Sequence, residues 1–215
     1  KIVKSKFKAS LRDKDQAIIA EIKKASPSAG IISENFNPVT KAQEYEAFGA
    51  SALSILTEED YFLGSTQYLK DVKKISKLPI LRKDFIVDIY QIYESKLIGS
   101  DCILLIASIL SDDELNDFTQ IADTLGLDYI IEVHNEDELK RVQDFSEAII
   151  GVNNRDLKSF TVDIENSIRL KQLFNQDNLF VAESGIKGQS DINKLLQHGI
   201  NIFLIGESLM KGDFA

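Results

Sequence analysis

Cysteine, histidine, methionine and proline are all scarce. The 215 residues hold one cysteine, one methionine, two histidines and three prolines. A single cysteine, Cys102, cannot form an internal disulfide. Its place in the apolar run Cys102-Ile103-Leu104-Leu105-Ile106 reads as a buried structural thiol, as in a protein of a reducing compartment. The two histidines, His134 and His198, have no partner at ligand spacing, so each is expected at the surface or a helix end rather than on a zinc ion. Three prolines argue against long linkers, and one domain over residues 1–215 is the expectation. No apolar run approaches the roughly 18 residues of a membrane span, and no signal peptide is visible. A cytoplasmic location is therefore expected. Basic residues are outnumbered 25 to 34, a net charge of −9 that disfavours nucleic acid and anionic membrane as partners. Any bound anion must meet a local site. No GxGxxG loop follows the first strand, which weighs against an open dinucleotide-binding sheet.

What the chain does contain is a recurring beat of short apolar runs. They lie at Ala17 to Ile22, Ala52 to Leu56, Pro79 to Leu81, Cys102 to Ile106, Asp128 to Val133, Ala148 to Val152, Leu179 to Ala182 and Asn201 to Ile205. Their starts are about 26 residues apart, room for one helix and two loops. Helical signals fill the gaps. Lys41 to Phe48 runs into Gly49, Asp88 to Ile98 into Gly99, and the capping box at Ser111 to Glu114 opens a helix ending at Gly126. Asn135 to Val142 and Asp191 to Gln197 supply two more. Strand then helix, repeated with near-continuous apolar strands, is the pattern of a parallel sheet covered on its outer face, and a (β/α)8 TIM barrel is the economical closure. Only Gly206 to Ala215 follows the last run, so the eighth helix reads as truncated. Residues 1–16 read as a short N-terminal extension anchored by Phe7 and Leu11.

A barrel places its working residues at the C-terminal ends of strands. Glu21 and Lys23 end the first run, Thr57 and Glu58 the second, Lys83 the third, and Ser108 follows the fourth. Glu132 ends the fifth, Asn153 and Arg155 the sixth, and Glu183 and Ser184 the seventh. Strand alternation puts Glu21 and Lys23 on one face, and likewise Asn153 and Arg155. Three carboxylates, two lysines and an arginine in one mouth are suited to acid/base chemistry, with a lysine lowered by a neighbouring cation and a carboxylate raised by an apolar pocket; barrel ion pairs are the plain alternative. Ser184-Gly185 and Gly206-Glu207-Ser208 fall in the two loops where barrels hold phosphate, with Lys23 or Ser26 able to close the site. Glu207 suits that site only if its side chain points away. Phe62, Phe85, Leu104 and Leu157 read either as a wall for a flat ligand or as core packing.

The run Ala20-Glu21-Ile22-Lys23-Lys24-Ala25-Ser26-Pro27-Ser28 resembles the first-strand signature of indole-3-glycerol phosphate synthase. So, in family order, do Ser54 to Glu58, Leu81 to Ile86, Ile131 to His134, Val152 to Leu157, Ala182 to Ile186 and Leu204 to Met210. The resemblance implies ring closure, decarboxylation and dehydration of 1-(2-carboxyphenylamino)-1-deoxyribulose 5-phosphate, without metal or cofactor. It implies Lys83 as general acid and Glu132 as general base or as acid/base partner in dehydration. Lys23 holds the anthranilate carboxylate on this reading, or acts as an acid in dehydration. Glu21, Asn153, Arg155, Glu183 and Ser184 orient these groups and bind hydroxyls. Ser26, Gly185, Gly206 and Glu207 fall in the phosphate loops, and Phe62, Phe85, Leu104 and Leu157 match the aromatic-ring pocket. A monomer, with association with other enzymes of the tryptophan pathway, is the expectation; in the family an N-terminal extension covers the mouth, and the short extension and missing eighth helix here depart from that pattern. Ala29 stands where many members carry lysine. Two other chemistries are weighed beside it. A Cys/Asp isomerase barrel is disfavoured because Cys102 begins its strand, and Lys83 as a Schiff-base nucleophile is testable by borohydride trapping. A binding module without turnover is the third reading.

Overall fold

The computed structural model describes residues 3–156 and 159–214. Eight parallel strands close on one another: β1 (Ala17–Ile22), β4 (Ala52–Leu56), β5 (Ile80–Lys83), β6 (Cys102–Ile106), β7 (Asp128–Val133), β8 (Ile149–Asn153), β9 (Phe180–Glu183) and β10 (Ile202–Ile205). Each lies within two residues of an apolar run in the sequence. The seam is made by β1, which pairs with β10 through Ala17 and Ile202 and with β4 through Glu21 and Ser54. A small antiparallel hairpin, β2 (Ala25–Ser26) and β3 (Gly30–Ile31), rises from the loop after β1 and has no counterpart in the sequence reading.

Helices clothe the barrel between strands. They are α1 (Phe7–Leu11), α2 (Pro38–Phe48), α3 (Thr66–Ile75), α4 (Ile89–Ile98), α5 (Asp112–Leu125), α6 (Glu136–Val142), α7 (Glu165–Leu173), α8 (Gln189–Leu196) and α9 (Glu207–Lys211). Caps explain most boundaries. Helix α2 starts three residues earlier than the apolar pattern suggests, because Asn37 accepts from the Val39 and Thr40 N–H groups and Pro38 occupies the first turn. Asp88 and Ser111 close reciprocal capping boxes, and Gly49, Gly99 and Gly126 end their helices in left-handed conformations. The eighth strand is followed by α9, five residues long.

Two apolar layers hold the barrel. The outer one packs strand residues such as Ile18, Leu53, Ile103 and Ile150 against helix residues such as Ala42, Leu69, Ile92 and Leu115. The inner one fills the barrel with Ile19, Leu81, Leu104, Ile130, Ile149, Val181 and Ile202. Phe7 and Leu11, fully buried, join this inner layer. They come in from the strands' N-terminal end, where the Lys8 N–H donates to Asp128 Oδ2 at 2.8 Å and the Ser5 N–H to the Gly126 carbonyl at 2.9 Å. The anchors are those read from the sequence, and the segment plugs the end of the barrel opposite the mouth. Cys102, fully buried, sits at that same lower end with its thiol pKa pushed up by burial.

The inner face changes character along each strand. Period-two alternation carries Ile19 upward to Glu21 and Lys23, Leu81 to Lys83, Ile130 to Glu132, Ile149 to Asn153 and Val181 to Glu183. The barrel thus has an apolar lower storey and a charged upper one.

Candidate active site

The upper storey opens into a cavity of about 1020 Å³. Glu21, Lys23, Ser26, Lys83, Glu132, Asn153, Arg155, Glu183, Ser184, Gly185, Gly206 and Glu207 all line it, as do Phe62, Phe85 and Leu104. The site residues singled out in the sequence are therefore gathered in one mouth apart from Thr57, and apart from Leu157, which lies outside the described residues. Ile109, Phe160 and Val162 add apolar wall that the sequence reading missed. Thr57 turns away from the cavity, accepting from Arg82 at 3.0 Å and donating to Asp84 at 2.5 Å.

Lys83 is the hub. Its Nζ donates to Glu132 Oε2 and to Glu183 Oε2, each at 2.9 Å. Burial works against the ammonium, but Glu132, Glu183 and Glu21 outweigh it and hold the Lys83 pKa well above the usual lysine value. This corrects the expectation of a lysine lowered by a neighbouring cation, since the nearest groups are carboxylates. The two carboxylates then part company. Glu132, though buried, keeps its charge and is held below the usual range by Lys83 and by His134. Glu183 is pushed up to about 7, chiefly by burial, which the Lys83 ammonium only partly offsets. Its Oε1 is buried without a hydrogen-bond partner among the described residues. One ammonium shared between two carboxylates favours one of them as the charged acceptor and the other as the proton carrier.

A second pair stands beside the first. Lys23 Nζ lies 2.7 Å from Glu21 Oε1, confirming the shared face. Asn153 and Arg155 likewise work together: Asn153 Nδ2 donates to Glu132 Oε1 at 3.2 Å, while Asn153 Oδ1 accepts from the Arg155 N–H at 3.0 Å. Arg155 reaches toward Glu207, whose nearer partner is Lys211 at 2.6 Å.

Two glycines make room for carboxylates. A Cβ on Gly151 would stand 2.3 Å from Glu183 Oε1 and 2.7 Å from Ile130 Cγ2, and one on Gly206 would stand 2.4 Å from Glu21 Oε1. Gly151→Ala is expected to push Glu183 off Lys83 and lower kcat/KM by about 100-fold, the scale of an ångström misplacement. Steady-state kinetics beside a thermal melt check this, and unchanged kinetics would show that Glu183 has freedom to move. Ser184 adopts φ 68°, a left-handed conformation unusual for serine, directly after Glu183. Followed by Gly185 at φ 79°, it turns the chain sharply over the mouth. Ser26 sits in the β2–β3 hairpin, its Oγ accepting from the Ala29 N–H at 3.2 Å.

Two rings supply part of the apolar lining. Phe62 and Phe85 are 6.3 Å apart between ring centroids and tilted at 51°. Phe62 is fixed through Glu58, whose carboxylate accepts from the Phe62 N–H at 2.9 Å, and Phe85 through Asp84, which accepts from the Phe85 N–H at 2.9 Å. The histidines remain, His134 first. At a helix end as expected, one residue before the Asn135 cap of α6, it also stands beside Glu132, with Nε2 3.3 Å from Glu132 Oε1 and Nδ1 3.1 Å from Glu138 Oε2. His198, at the end of α8, is bonded through Nδ1 to the Lys194 carbonyl at 2.9 Å.

Fold and site together are those of a (β/α)8-barrel enzyme whose charged mouth is suited to acid/base chemistry. The sequence model described as indole-3-glycerol phosphate synthase matches residues 2–214. The chain is 53% identical over 205 residues to the indole-3-glycerol phosphate synthase of Ruminiclostridium cellulolyticum, spanning 95% of this chain and 79% of that protein. It is 51% identical over 208 residues to that of Clostridium acetobutylicum, spanning 97% and 79%. The chain belongs to the indole-3-glycerol phosphate synthase family, and its activity is the decarboxylating ring closure of that family in tryptophan biosynthesis. Among solved structures, the tryptophan synthase A-subunit of Pyrococcus furiosus superposes with a TM-score of 0.67 at 15% identity, covering 92% of this chain and 89% of that one. At that identity the likeness is one of fold.

Proposed function

We propose that Lys83 and Glu132 carry the proton transfers by which the chain converts 1-(2-carboxyphenylamino)-1-deoxyribulose 5-phosphate into indole-3-glycerol phosphate. The observation that carries the reading is the Lys83 ammonium, bonded at 2.9 Å to both Glu132 and Glu183 inside a mouth lined by charged and aromatic side chains together. Lys83 donates its proton to the substrate carbonyl oxygen as the aromatic carbon attacks, and so stabilises charge as it develops there. Carbon dioxide leaves from the ring carbon, which restores the electron pair of the broken bond to the ring. Glu132, ionised, takes a ring-carbon or nitrogen proton as the hydroxyl departs as water. Lys23 holds the anthranilate carboxylate or acts as an acid in that dehydration.

Glu21, Asn153, Arg155, Glu183 and Ser184 orient these groups and bind hydroxyls. Ser26, Gly185, Gly206 and Glu207 receive the phosphate. Because the Glu207 carboxylate is paired with Lys211, its contribution is its main chain. Phe62, Phe85 and Leu104 take the aromatic ring, and Leu157 is assigned to the same wall by the family pattern. Phosphate fixed at one end and carboxylate at the other fold the substrate toward its near-attack geometry, which lowers the entropy cost of closure. The same reading has the chain working as a monomer in the cytoplasm, able to associate with other enzymes of the tryptophan pathway. Among the described residues no helix is long and apolar enough to cross a membrane.

The test is the fluorescence rise on adding the carboxyphenylamino deoxyribulose phosphate with a chelator present. Turnover is expected to continue in chelator and to be lost in Glu132→Gln; full turnover in that variant removes Glu132 as base. Ser184→Ala is expected mainly to raise KM, and an unchanged KM with a lost rate would refute its binding role.

A further inference from the structure

We propose that His134 is a positioning residue for Glu132, an imidazolium clamped between Glu132 and Glu138 that keeps the Glu132 carboxylate aimed and charged while Lys83 gives its proton to substrate. The proposal rests on Glu132 being the base. Its starting point is the two-residue step along β7, which places Glu132 and His134 on one face as it does Glu21 with Lys23 and Asn153 with Arg155. Yet His134 does not line the cavity; its ring stands behind Glu132 with a side chain only 12% exposed. A group so placed acts through its neighbour rather than on substrate.

Both ring nitrogens face carboxylate. Nδ1 is 3.1 Å from Glu138 Oε2, and that oxygen also accepts from the His134 backbone N–H at 2.8 Å. Glu138 Oε1 accepts from Asn135 Nδ2 at 2.7 Å, so the carboxylate is pinned at both ends. Nε2 is 3.3 Å from Glu132 Oε1, buried, and off the line of a good hydrogen bond. A neutral imidazole has one N–H and can serve only one of these acceptors, whereas the cation serves both. Burial opposes that charge, but Glu132 and Glu138 prevail and push the ring up to about 9.

Among the described residues the charged groups that act on the ring are the two carboxylates, with Arg169 of α7 held one residue away on Asn166 Oδ1 at 2.8 Å. From α7, Asn166 donates to the His134 carbonyl at 3.0 Å; from β8, Asn153 donates to Glu132 Oε1. Lys83 of β5 and Glu183 of β9 lie beyond Glu132. The N-terminus of α6, whose dipole disfavours a cation, carries Glu136, Asp137 and Glu138 in its first turn. At rest Glu132 therefore leans on Lys83 through Oε2 and on Asn153 through Oε1. As the lysine proton moves to the substrate oxygen, the charge at Nζ fades, and Glu132 is left with Asn153 and the imidazolium. A small swing brings Oε1 into line with Nε2. The proton on His134 stays where it is, and the carboxylate stays available for the next transfer.

The experiment begins with the unaltered chain. With only two histidines, imidazole ¹H–¹⁵N spectra against pH resolve both rings, and His198→Gln assigns them. His134 is expected doubly protonated at pH 7 and to titrate near 9. A single neutral tautomer at pH 7 would overturn the proposal, and this reading needs no turnover. Glu138→Gln is expected to lower the ring midpoint by a unit or more, with the alkaline limb of kcat following it. His134→Gln, close in size and uncharged, is expected to lower kcat at pH 7 about tenfold with KM within about twofold, the share of one charge-assisted hydrogen bond. Its acid limb moves up and its alkaline limb near 9 disappears. Superimposable pH profiles in the two variants would reduce His134 to a structural group. Turnover retained in Glu132→Gln would instead remove the base on which the proposal rests, with the ring titration still standing.

Discussion

Lys83→Met is expected to lower kcat by about 1000-fold or more while product affinity changes by less than about tenfold. The asymmetry follows from where the ammonium acts. In the resting site it is bonded to Glu132 and Glu183, and only when the substrate oxygen gathers charge does it have a new partner to favour. Losing it therefore costs the transition state most. The variant should still fold. Glu183 already titrates near 7, so it absorbs the lost cation by holding a proton, and Glu132 retains His134 and Asn153. Single-turnover kinetics with product titration separate the two quantities. Normal turnover would remove Lys83 from the mechanism, and product affinity falling as far as the rate would make its role one of uniform binding.

The largest stability effect belongs to the residue before it. Arg82→Met is expected to destabilise the chain by about 3 kcal/mol, the cost of losing a buried guanidinium's hydrogen bonds and stranding the half-buried carboxylates of Asp84 and Glu94. That corresponds to a melting temperature lower by about 10 °C for a chain of this size. Arg82 points to the opposite face from Lys83 and is 3% exposed. Its guanidinium meets Asp84 at 3.0 Å and Glu94 at 2.8 Å, donates to Thr57 at 3.0 Å and to Ser95 Oγ at 3.1 Å, and reaches the Gln91 carbonyl at 3.2 Å. It thus ties the end of β4, the loop after β5 and helix α4 together. Asp84 in turn holds the Phe85 N–H, so the variant should also raise KM for an aromatic ligand. Denaturant titration and Michaelis kinetics check the two halves. A loss below about 1 kcal/mol would mean that the network is solvated rather than buried.

Much of this was legible in the chain because strand ends and working residues coincide. The eight apolar runs located the strands, and reading the polar residues just beyond them located Glu21, Lys23, Lys83, Glu132, Asn153, Arg155, Glu183 and Ser184. What escaped notice has physical causes. Helix α7 opens at Ile164 without a side-chain cap, and with no cap signal and few apolar positions it was passed over. Helix α3 does carry a signal, Ser65 after Gly64, but the signal was not read. The pKa order within the mouth was out of reach, since it depends on one ammonium lying between two carboxylates from strands far apart in sequence. His134 was judged by metal-ligand spacing, whereas its partners are a carboxylate two residues back and another four residues on. The extension's anchors, Phe7 and Leu11, are legible as apolar residues in a polar segment, whereas the end of the barrel they fill is not, because an apolar pair shows that it will be buried without showing where.

The division of the barrel interior into two storeys means that tolerance to change should divide at the same height. Below it, at Ile149, Val181 or Ile202, a swap of one aliphatic for another trades packing for packing and leaves the chemistry a full strand step away. Above it, Lys83, Glu132 and Glu183 answer to partners on other strands and Glu21 to Lys23 at the end of its own, so that none of them is free to vary alone. A library drawn from the lower storey would explore thermal tolerance at nearly constant substrate preference. One drawn from the upper would need paired substitutions, Glu183 with Gly151 or Glu21 with Gly206, before any new preference appeared.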